Sequence, residues 1–386
     1  MNGSAREDAL RDAARALATE VSDRALEIER ARTLPPDLVA RFRESGLFSM
    51  ALPAALGGLE CAPRLIVELV ELLSRADGST GWTLLIGQGS GFFAWLDPQV
   101  AKELLVDNSA PLVAGSIAPM GQGPALRRDG ATSYRLNGRW PFNSGCPHAD
   151  WMVAAFLLEQ RADGPPPQRF AVLPADRARI HDTWNVAGLR GTASHDIELQ
   201  DVVVPHERTF DPFNEPARHP GPLYPSLFGF LVMMMAGFPL GVARGALDEL
   251  HAVAHRKRRH PNAPPIAEEP VLQEQVLACE TKLRAARALV LESVDGIASA
   301  MRDTGSAPPQ ARARLMAAVH HAMNVAVEVV TTAFHAGGAS VLYDHQPLQR
   351  CFRDAHAARQ HVLFGQEATK RLGRMELGLP VPDFLL

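Results

Sequence analysis

Two segments far apart in the chain carry side chains that could hold a cofactor and move a proton. The first, residues 140–151, contains Ser144. The second, residues 334–361, begins with a segment that contains Gly337-Gly338 and ends at His361. A histidine has an ordinary pKa near ~6.5, so it can give or take a proton near neutral pH. Adjacent glycines let a backbone approach a phosphate or a dinucleotide tail closely, although such pairs also end many helices.

The spacing between Asp354 and His361 predicts how the histidine is presented. If one helix runs through both residues, seven positions place them about two turns apart on one face. We therefore expect a helix that reaches residue 361 and turns His361 toward a cofactor cavity. His356 would lie on a different face and is the competing candidate. A structural histidine packed between helices is the plainer alternative.

The composition is that of an ordinary globular protein and argues against several classes of function. The chain has 386 residues, 46% of them hydrophobic and 21% charged, and its net charge of −4 gives no basic surplus for nucleic-acid binding. Its four cysteines lack the spacing of a disulfide framework or a zinc site. The N-terminus lacks the apolar core of a signal peptide, and the apolar run 227–240 is too short and interrupted to span a bilayer. We expect a cytoplasmic protein without a metal, membrane or nucleic-acid partner.

The hydrophobic periodicity divides the chain into three sections that must position these residues. Residues 1–110 repeat at helical spacing and predict an N-terminal helical domain. Residues 111–215 contain short β-type runs between turn residues and predict a small antiparallel β-domain or barrel. Residues 222–386 carry long stripes with steps of three and four, which are typical of a four-helix bundle. The expected fold class is α+β, mostly α.

The order of these sections, together with local motifs, resembles the acyl-CoA dehydrogenase superfamily. The resemblance covers nearly the whole chain, and its segment 77–82 is similar to a helix start in the flavin-dependent monooxygenase branch. In the dehydrogenases the usual base is a glutamate eight residues after the Asp of an Arg-Asp pair, where this chain has Val362. The hydroxylases have a histidine at the spacing of His361. The other segments that carry the resemblance are 137–145, 188–194, 277–287 and 353–354.

The resemblance also assigns expected roles to individual residues. His361 and Ser144 are the expected catalytic residues, with the serine near flavin N5, where a hydroxyl can hold the reduced ring. The cofactor-binding candidates, expected near the flavin ring or its phosphate, are Phe142, Ser144, Ile117, Pro119, Arg256, Gly337 and Gly338, with Arg258 or Arg190 as alternatives for the phosphate. The residues expected to line a substrate pocket are Trp82, Phe93, Phe230 and Met234. Turn residues, helix ends and plain bundle core are the alternatives.

A flavin site without a proton-abstracting carboxylate favours oxygen chemistry over α,β-desaturation. The resemblance implies an oxygenase that uses FMNH2 or FADH2 and O2, through a C4a-(hydro)peroxyflavin, to hydroxylate a small aromatic, polycyclic or amine substrate. Secondary metabolism is a candidate setting. No GxGxxG follows a strand, so the reduced flavin is expected from a separate flavin reductase. Family members usually form homotetramers, so a homotetramer or a homodimer is expected.

Two other functions remain open from the sequence. An acyl-CoA dehydrogenase could use an unusual base, and the acids available are Glu367, Glu269, Glu274 and Glu280. A non-catalytic family member could instead bind an acyl or aromatic ligand or serve as an assembly subunit. The presence of both Ser144 and His361 favours an enzyme over this last function.

Overall fold

The computed structural model describes residues 3–106, 108, 110–159, 166–219 and 221–382, and its first section is helical. Helix α2 begins with a proline at its first position, and the chain leaves it through Gly46, whose φ of 80° few other residues adopt. The third helix buries one apolar face, as its periodicity predicts. The helices of this section are α1 Gly3–Ala31, α2 Pro36–Glu44, α3 Pro63–Ala76, α4 Gly78–Gly87 and α5 Pro98–Leu104.

A curled mixed sheet forms the middle of the chain. Its order is β6-β7-β3-β1-β4-β5-β8, with β2 paired to β3. Strands β1 and β4 are parallel, so the antiparallel prediction was wrong for this pair. The hairpin of β2 and β3 supplies the crossover that a parallel pair requires. The strands are β1 Val113–Gln122, β2 Ala125–Arg128, β3 Ala131–Asn143, β4 Trp151–Leu157, β5 Gln168–Pro174, β6 Arg179–His181, β7 His195–Pro205 and β8 Thr209–Phe210.

Long helices return in the last section and confirm the expected α+β, mostly α, fold class. The predicted apolar stripe of α8 is buried, from Leu272 through Cys279 and Leu283 to Ile297. Helices α7, α8, α9 and α10 pack on one another. The helices of this section are α6 Leu227–Met235, α7 Gly237–Arg256, α8 Pro270–Thr304, α9 Pro309–Gly337, α10 Pro347–Ala358 and α11 Gln366–Glu376.

The apolar stretch that begins at Leu227 is longer than the sequence predicted. Helical structure continues to Arg256, so 30 residues are long and apolar enough to cross a membrane by length and composition alone. The expectation that this run was too short was therefore wrong. However, 83% of its most apolar window is buried inside the protein, against helices α3 and α9. This burial is typical of the core helix of a globular protein.

Candidate active site

His361 lies beyond the end of α10 and not on it. The helix ends at Ala358, and His361 precedes the short 3-10 helix Val362–Phe364 in an extended conformation with φ −64° and ψ 141°. The predicted helix through residue 361 was therefore wrong, and Asp354 and His361 do not share a helical face. The Arg359 side chain donates to the Phe364 carbonyl and holds the chain in this turn.

The surroundings of His361 keep its ring neutral and select one tautomer. Burial lowers the pKa of His361 to about 4, so the imidazole carries no charge at pH 7. Its Nδ1 accepts a hydrogen bond from the Leu363 backbone N–H at 3.3 Å. In a neutral ring the proton then lies on Nε2. His361 therefore offers an uncharged N–H donor at neutral pH.

Trp82 connects the two expected catalytic residues. Its ring meets His361 edge to face, with centroids 5.6 Å apart, and meets Phe238 in the same way at 5.0 Å. Its indole N–H donates to the Ser144 hydroxyl at 3.1 Å. The structure thus brings Trp82, Ser144 and His361 together from α4, the end of β3 and the turn after α10. An aromatic wall of this kind excludes water from the polar atoms beside it.

Ser144 begins a row of three hydroxyl groups, Ser144, Ser194 and Thr192, which we call the hydroxyl chain. The Ser144 and Ser194 oxygens are 2.6 Å apart, and those of Ser194 and Thr192 are also 2.6 Å apart. Thr192 donates to the Leu189 carbonyl at 2.8 Å. Each hydroxyl has only one hydrogen, so Ser194 must donate to Thr192, and Ser144 must donate to Ser194. Ser144 therefore keeps one free lone pair and no free hydrogen.

The loop that carries Ser194 and Thr192 is attached to α10. Asp354 accepts a 2.6 Å hydrogen bond from the Leu189 N–H, and Arg353 donates to the Ala187 carbonyl at 2.5 Å. A Cβ at Gly188 would lie 2.1 Å from the Arg353 carbonyl oxygen, so only glycine fits this close approach. Burial, followed by the nearby Asp77 carboxylate, raises the pKa of Asp354 to about 7. Sequence reasoning missed Ser194 and Thr192, although two hydroxyl residues two positions apart were visible in segment 188–194.

Phe142 combines an unusual backbone with an exposed aromatic ring. Its φ is 65°, which is strained for a residue with a side chain, and 70% of its surface is exposed. The pairing of β3 with β7 shifts register between Trp140 and Asn143 at this point. A second irregularity, between Ser116 and Gly121 of β1, takes the candidates Ile117 and Pro119 out of the ladder with β4. Both irregularities leave surface that a flat ring could contact.

The candidates for a phosphate lie where α7 and α9 end. Helix α9 ends at Gly337, and Gly338 follows with a φ of 61°. Arg256 is exposed at the last position of α7. Lys257, which sequence reasoning did not single out, donates its ammonium to the Gly337 carbonyl and joins the two helix ends. The basic run 255–260 thereby comes next to the glycine pair, and this spatial neighbourhood was not visible in the sequence.

The other expected substrate-pocket residues are buried in the core. Phe93 packs on Trp151, and Phe230 packs on Phe92 with centroids 5.5 Å apart. Met234 is also buried. Two clefts, of about 550 and 290 Å3, open elsewhere in the described part of the chain and are not lined by these residues. The assignment of Phe93, Phe230 and Met234 to a substrate pocket stays a prediction. Of the four residues expected there, Trp82 contacts Ser144 and His361.

The competing proton carriers are engaged elsewhere. Val362, at the position of the dehydrogenase base, is 66% exposed and has no titratable group. His356 hydrogen-bonds Thr331 at 3.1 Å and packs on Phe352 between α9 and α10. Ion pairs with arginine or lysine lower the pKa of three of the four acids considered: Glu269 with Arg259, Glu280 with Arg244 and Glu367 with Lys370.

These features are better explained by a bound flavin than by a purely structural role of the same residues. The exposed, strained Phe142 offers a surface for stacking, and the free lone pair of Ser144 can accept from an N–H such as N5–H of a reduced flavin. The glycine pair and the basic end of α7 could receive a phosphate. We therefore take the Trp82, Ser144 and His361 group as the candidate active site.

Comparisons with known proteins cover nearly the whole chain. The family model for the acyl-CoA dehydrogenase N-terminal domain matches residues 4–96, and the one for the C-terminal domain matches residues 233–366. An indole-3-acetate monooxygenase of Pseudomonas putida is 34% identical over 374 residues, which cover 96% of this chain and 95% of the relative.

Two further proteins match this chain over nearly their whole length. The oxygenase component of an FADH2-dependent resorcinol hydroxylase from Rhizobium sp. is 30% identical over 92% of this chain and 90% of its own. The crystal structure of a 3-HSA hydroxylase from Rhodococcus sp. RHA1 superposes with a TM-score of 0.89 at 28% identity and covers 98% of each chain. The likeness extends over nearly the whole chain and includes the central sheet.

Proposed function

The chain belongs to the acyl-CoA dehydrogenase superfamily, in its branch of flavin-dependent monooxygenases, and we propose that it is the oxygenase component of a two-component hydroxylase. Its substrate would be a small aromatic compound. Two relatives are named for the aromatic compounds indole-3-acetate and resorcinol, and this supports the substrate class. The missing GxGxxG motif supports a separate flavin reductase as the partner.

The observation that carries this proposal is the junction of Ser144, Trp82 and His361. A reduced flavin, when bound, supplies the electrons that activate O2 for oxygen transfer. Ser144 would hold the flavin through its free lone pair, because its own hydrogen is given to Ser194. His361 would donate its Nε2–H to an oxygen atom, since its ring is neutral. Trp82 holds both residues in place and excludes water around them.

Several more detailed expectations from the sequence remain proposals. They are the identity of the oxygen-transferring adduct, the homotetramer or homodimer, the cytoplasmic location and the role in secondary metabolism. The choice between oxidation of a ring carbon and of an amine nitrogen is one of them, and the relatives named for aromatic substrates favour the ring.

The test is a reconstituted turnover with a flavin reductase, NADH, FAD or FMN, and a panel of indoles and phenols. We expect O2 consumption that yields a hydroxylated product with at least one member of the panel. His361→Ala should keep the fold and flavin binding but release more H2O2 per product, whereas His356→Ala should leave this ratio unchanged. Tightly bound FAD that an acyl-CoA bleaches would overturn the proposal in favour of a dehydrogenase.

A further inference from the structure

The hydroxyl chain has a fixed direction, because its last member is committed to a backbone carbonyl. Thr192 can reach the Leu189 carbonyl only as a donor, since a carbonyl oxygen has no hydrogen to give. Thr192 must then accept from Ser194, and Ser194 must accept from Ser144. At the other end, the Trp82 indole N–H can only donate, so Ser144 accepts from it. Nothing in this arrangement leaves Ser144 a hydrogen for a ligand.

The direction is held by buried groups that cannot easily turn. Thr192 is 1% exposed and Ser194 is 3% exposed, so water does not offer either of them another partner. The receiving carbonyl belongs to Leu189, whose φ of 54° is stabilised by the hydrogen bond from its N–H to Asp354. The 192 carbonyl also accepts from the Gly145 N–H at 2.8 Å, which joins the loop to the turn that carries Ser144.

From this direction we infer that the hydroxyl chain makes the site select reduced flavin over oxidised flavin. The inference rests on the proposed function, because it takes Ser144 to meet the flavin at N5. Reduced flavin has a hydrogen on N5 and can donate it to the free lone pair of Ser144. Oxidised flavin has only a lone pair on N5 and finds no donor there. In a two-component system, this difference favours uptake of the reduced form and release of the oxidised form.

The size of this preference follows from one hydrogen bond. Reduced flavin makes it to Ser144, whereas oxidised flavin places the lone pair of N5 against the lone pair of Ser144. A hydrogen bond of this kind changes affinity by about tenfold. We therefore expect the wild-type protein to bind reduced flavin at least about tenfold more tightly than oxidised flavin. For a two-electron couple, a tenfold ratio raises the midpoint potential of the bound flavin by about 30 mV over the free flavin.

The experiment compares dissociation constants for oxidised FAD and FMN with those for the same flavins reduced under anaerobic conditions. Thr192→Val removes the group that receives the hydrogen of Ser194. Ser194 can then turn its hydrogen to Ser144, and Ser144 can turn its own toward N5. The ratio of the two dissociation constants should fall about tenfold, with the midpoint potential lower by about 30 mV. Ser194→Ala should act in the same direction, and Thr192→Ser should keep the wild-type ratio.

Thr83→Val is the matched control. Thr83 is also 1% exposed and also donates to a backbone carbonyl, that of Ser79 at 2.9 Å, but it is not part of the hydroxyl chain. It should keep the wild-type ratio. Equal binding of both redox forms by the wild type, or equal ratios in Thr192→Val and Thr83→Val, would overturn the inference and leave the proposed function standing. If the wild type binds neither form, the proposed function itself is wrong and the inference fails with it. Ser194→Ala decides the question if Thr192→Val does not fold.

Discussion

Mild acid should destabilise this protein through His361, because burial keeps its imidazole neutral. The pKa of the ring falls from 6.5 to about 4 on folding, so the unfolded chain binds the proton first as the pH falls. The stability that depends on the neutral ring is complete above pH 6.5 and is lost as the pH falls toward 4. At 1.36 kcal/mol per pKa unit, the whole loss is about 3 kcal/mol, of which about 2 kcal/mol appears between pH 7 and pH 5.

Urea unfolding at pH 7 and pH 5 measures this loss when wild type is compared with His361→Asn. The asparagine cannot titrate, and its side-chain oxygen can still accept from the Leu363 N–H that His361 Nδ1 accepts. We expect the difference in unfolding free energy between the two pH values to shrink by about 2 kcal/mol in the variant. The exposed His345 provides the control, since His345→Asn should leave the wild-type difference in place.

Other histidines also have a lowered pKa and contribute to the dependence of the unfolding free energy on pH. The test therefore depends on the difference between wild type and His361→Asn, and not on the slope of either protein alone. If wild type and His361→Asn lose the same stability between pH 7 and pH 5, the imidazole is not held neutral by the fold. The role of His361 as an uncharged Nε2–H donor would then be wrong. Product formed per O2 consumed gives a second readout, which should stay level from pH 6 to pH 8.

Two further predictions concern the groups around the hydroxyl chain. Because burial raises the pKa of Asp354 to about 7, its contribution to stability is present below pH 4 and is lost as the pH rises through 7. Asp354→Asn should remove this loss, which amounts to about 3 kcal/mol in urea unfolding between pH 5 and pH 8, and an unchanged slope would contradict it. Phe142→Gly relieves a φ of 65° and should change the unfolding free energy by no more than about 1 kcal/mol. The same variant should weaken binding of reduced flavin by about fivefold through lost stacking; unchanged affinity in an anaerobic titration would show that the ring does not contact the flavin.

The fold class was predictable because hydrophobic periodicity is a local property of the chain. The stripe of α8 and the alternation in β7 report which face is buried without any knowledge of what covers it, and the continuous apolar run of β4 is buried on both faces. The parallel pairing of β1 with β4 was not predictable in this way, because the pairing partner of a strand is chosen by the rest of the sheet. The end of α10 was missed for a similar reason. The sequence Ala-Ala-Arg-Gln-His is compatible with a helix, and it is the contact of Arg359 with Phe364 that turns the chain.

Ser144 and His361 suggested a flavin-dependent oxygenase only together with the resemblance to the acyl-CoA dehydrogenase superfamily. They could not show that Trp82 joins these two residues, nor that Ser194 and Thr192 take the hydrogen of Ser144. Trp82 and Ser144 lie 62 residues apart along the chain, and Ser144 and Ser194 lie 50 apart, so no local pattern links them. The hydroxyl pair in segment 188–194 was a usable signal only once Ser144 was known to lie beside it.

The sequence by itself therefore determined which side chains are available for chemistry and which surfaces of each element are buried. Only the tertiary structure decided the state of those side chains. Whether His361 is charged depends on how deeply other elements bury it, and whether Ser144 gives or takes a hydrogen depends on a carbonyl at the far end of the hydroxyl chain. Both are properties of groups brought together from distant parts of the chain, since protonation and hydrogen-bond direction respond to all neighbours in space.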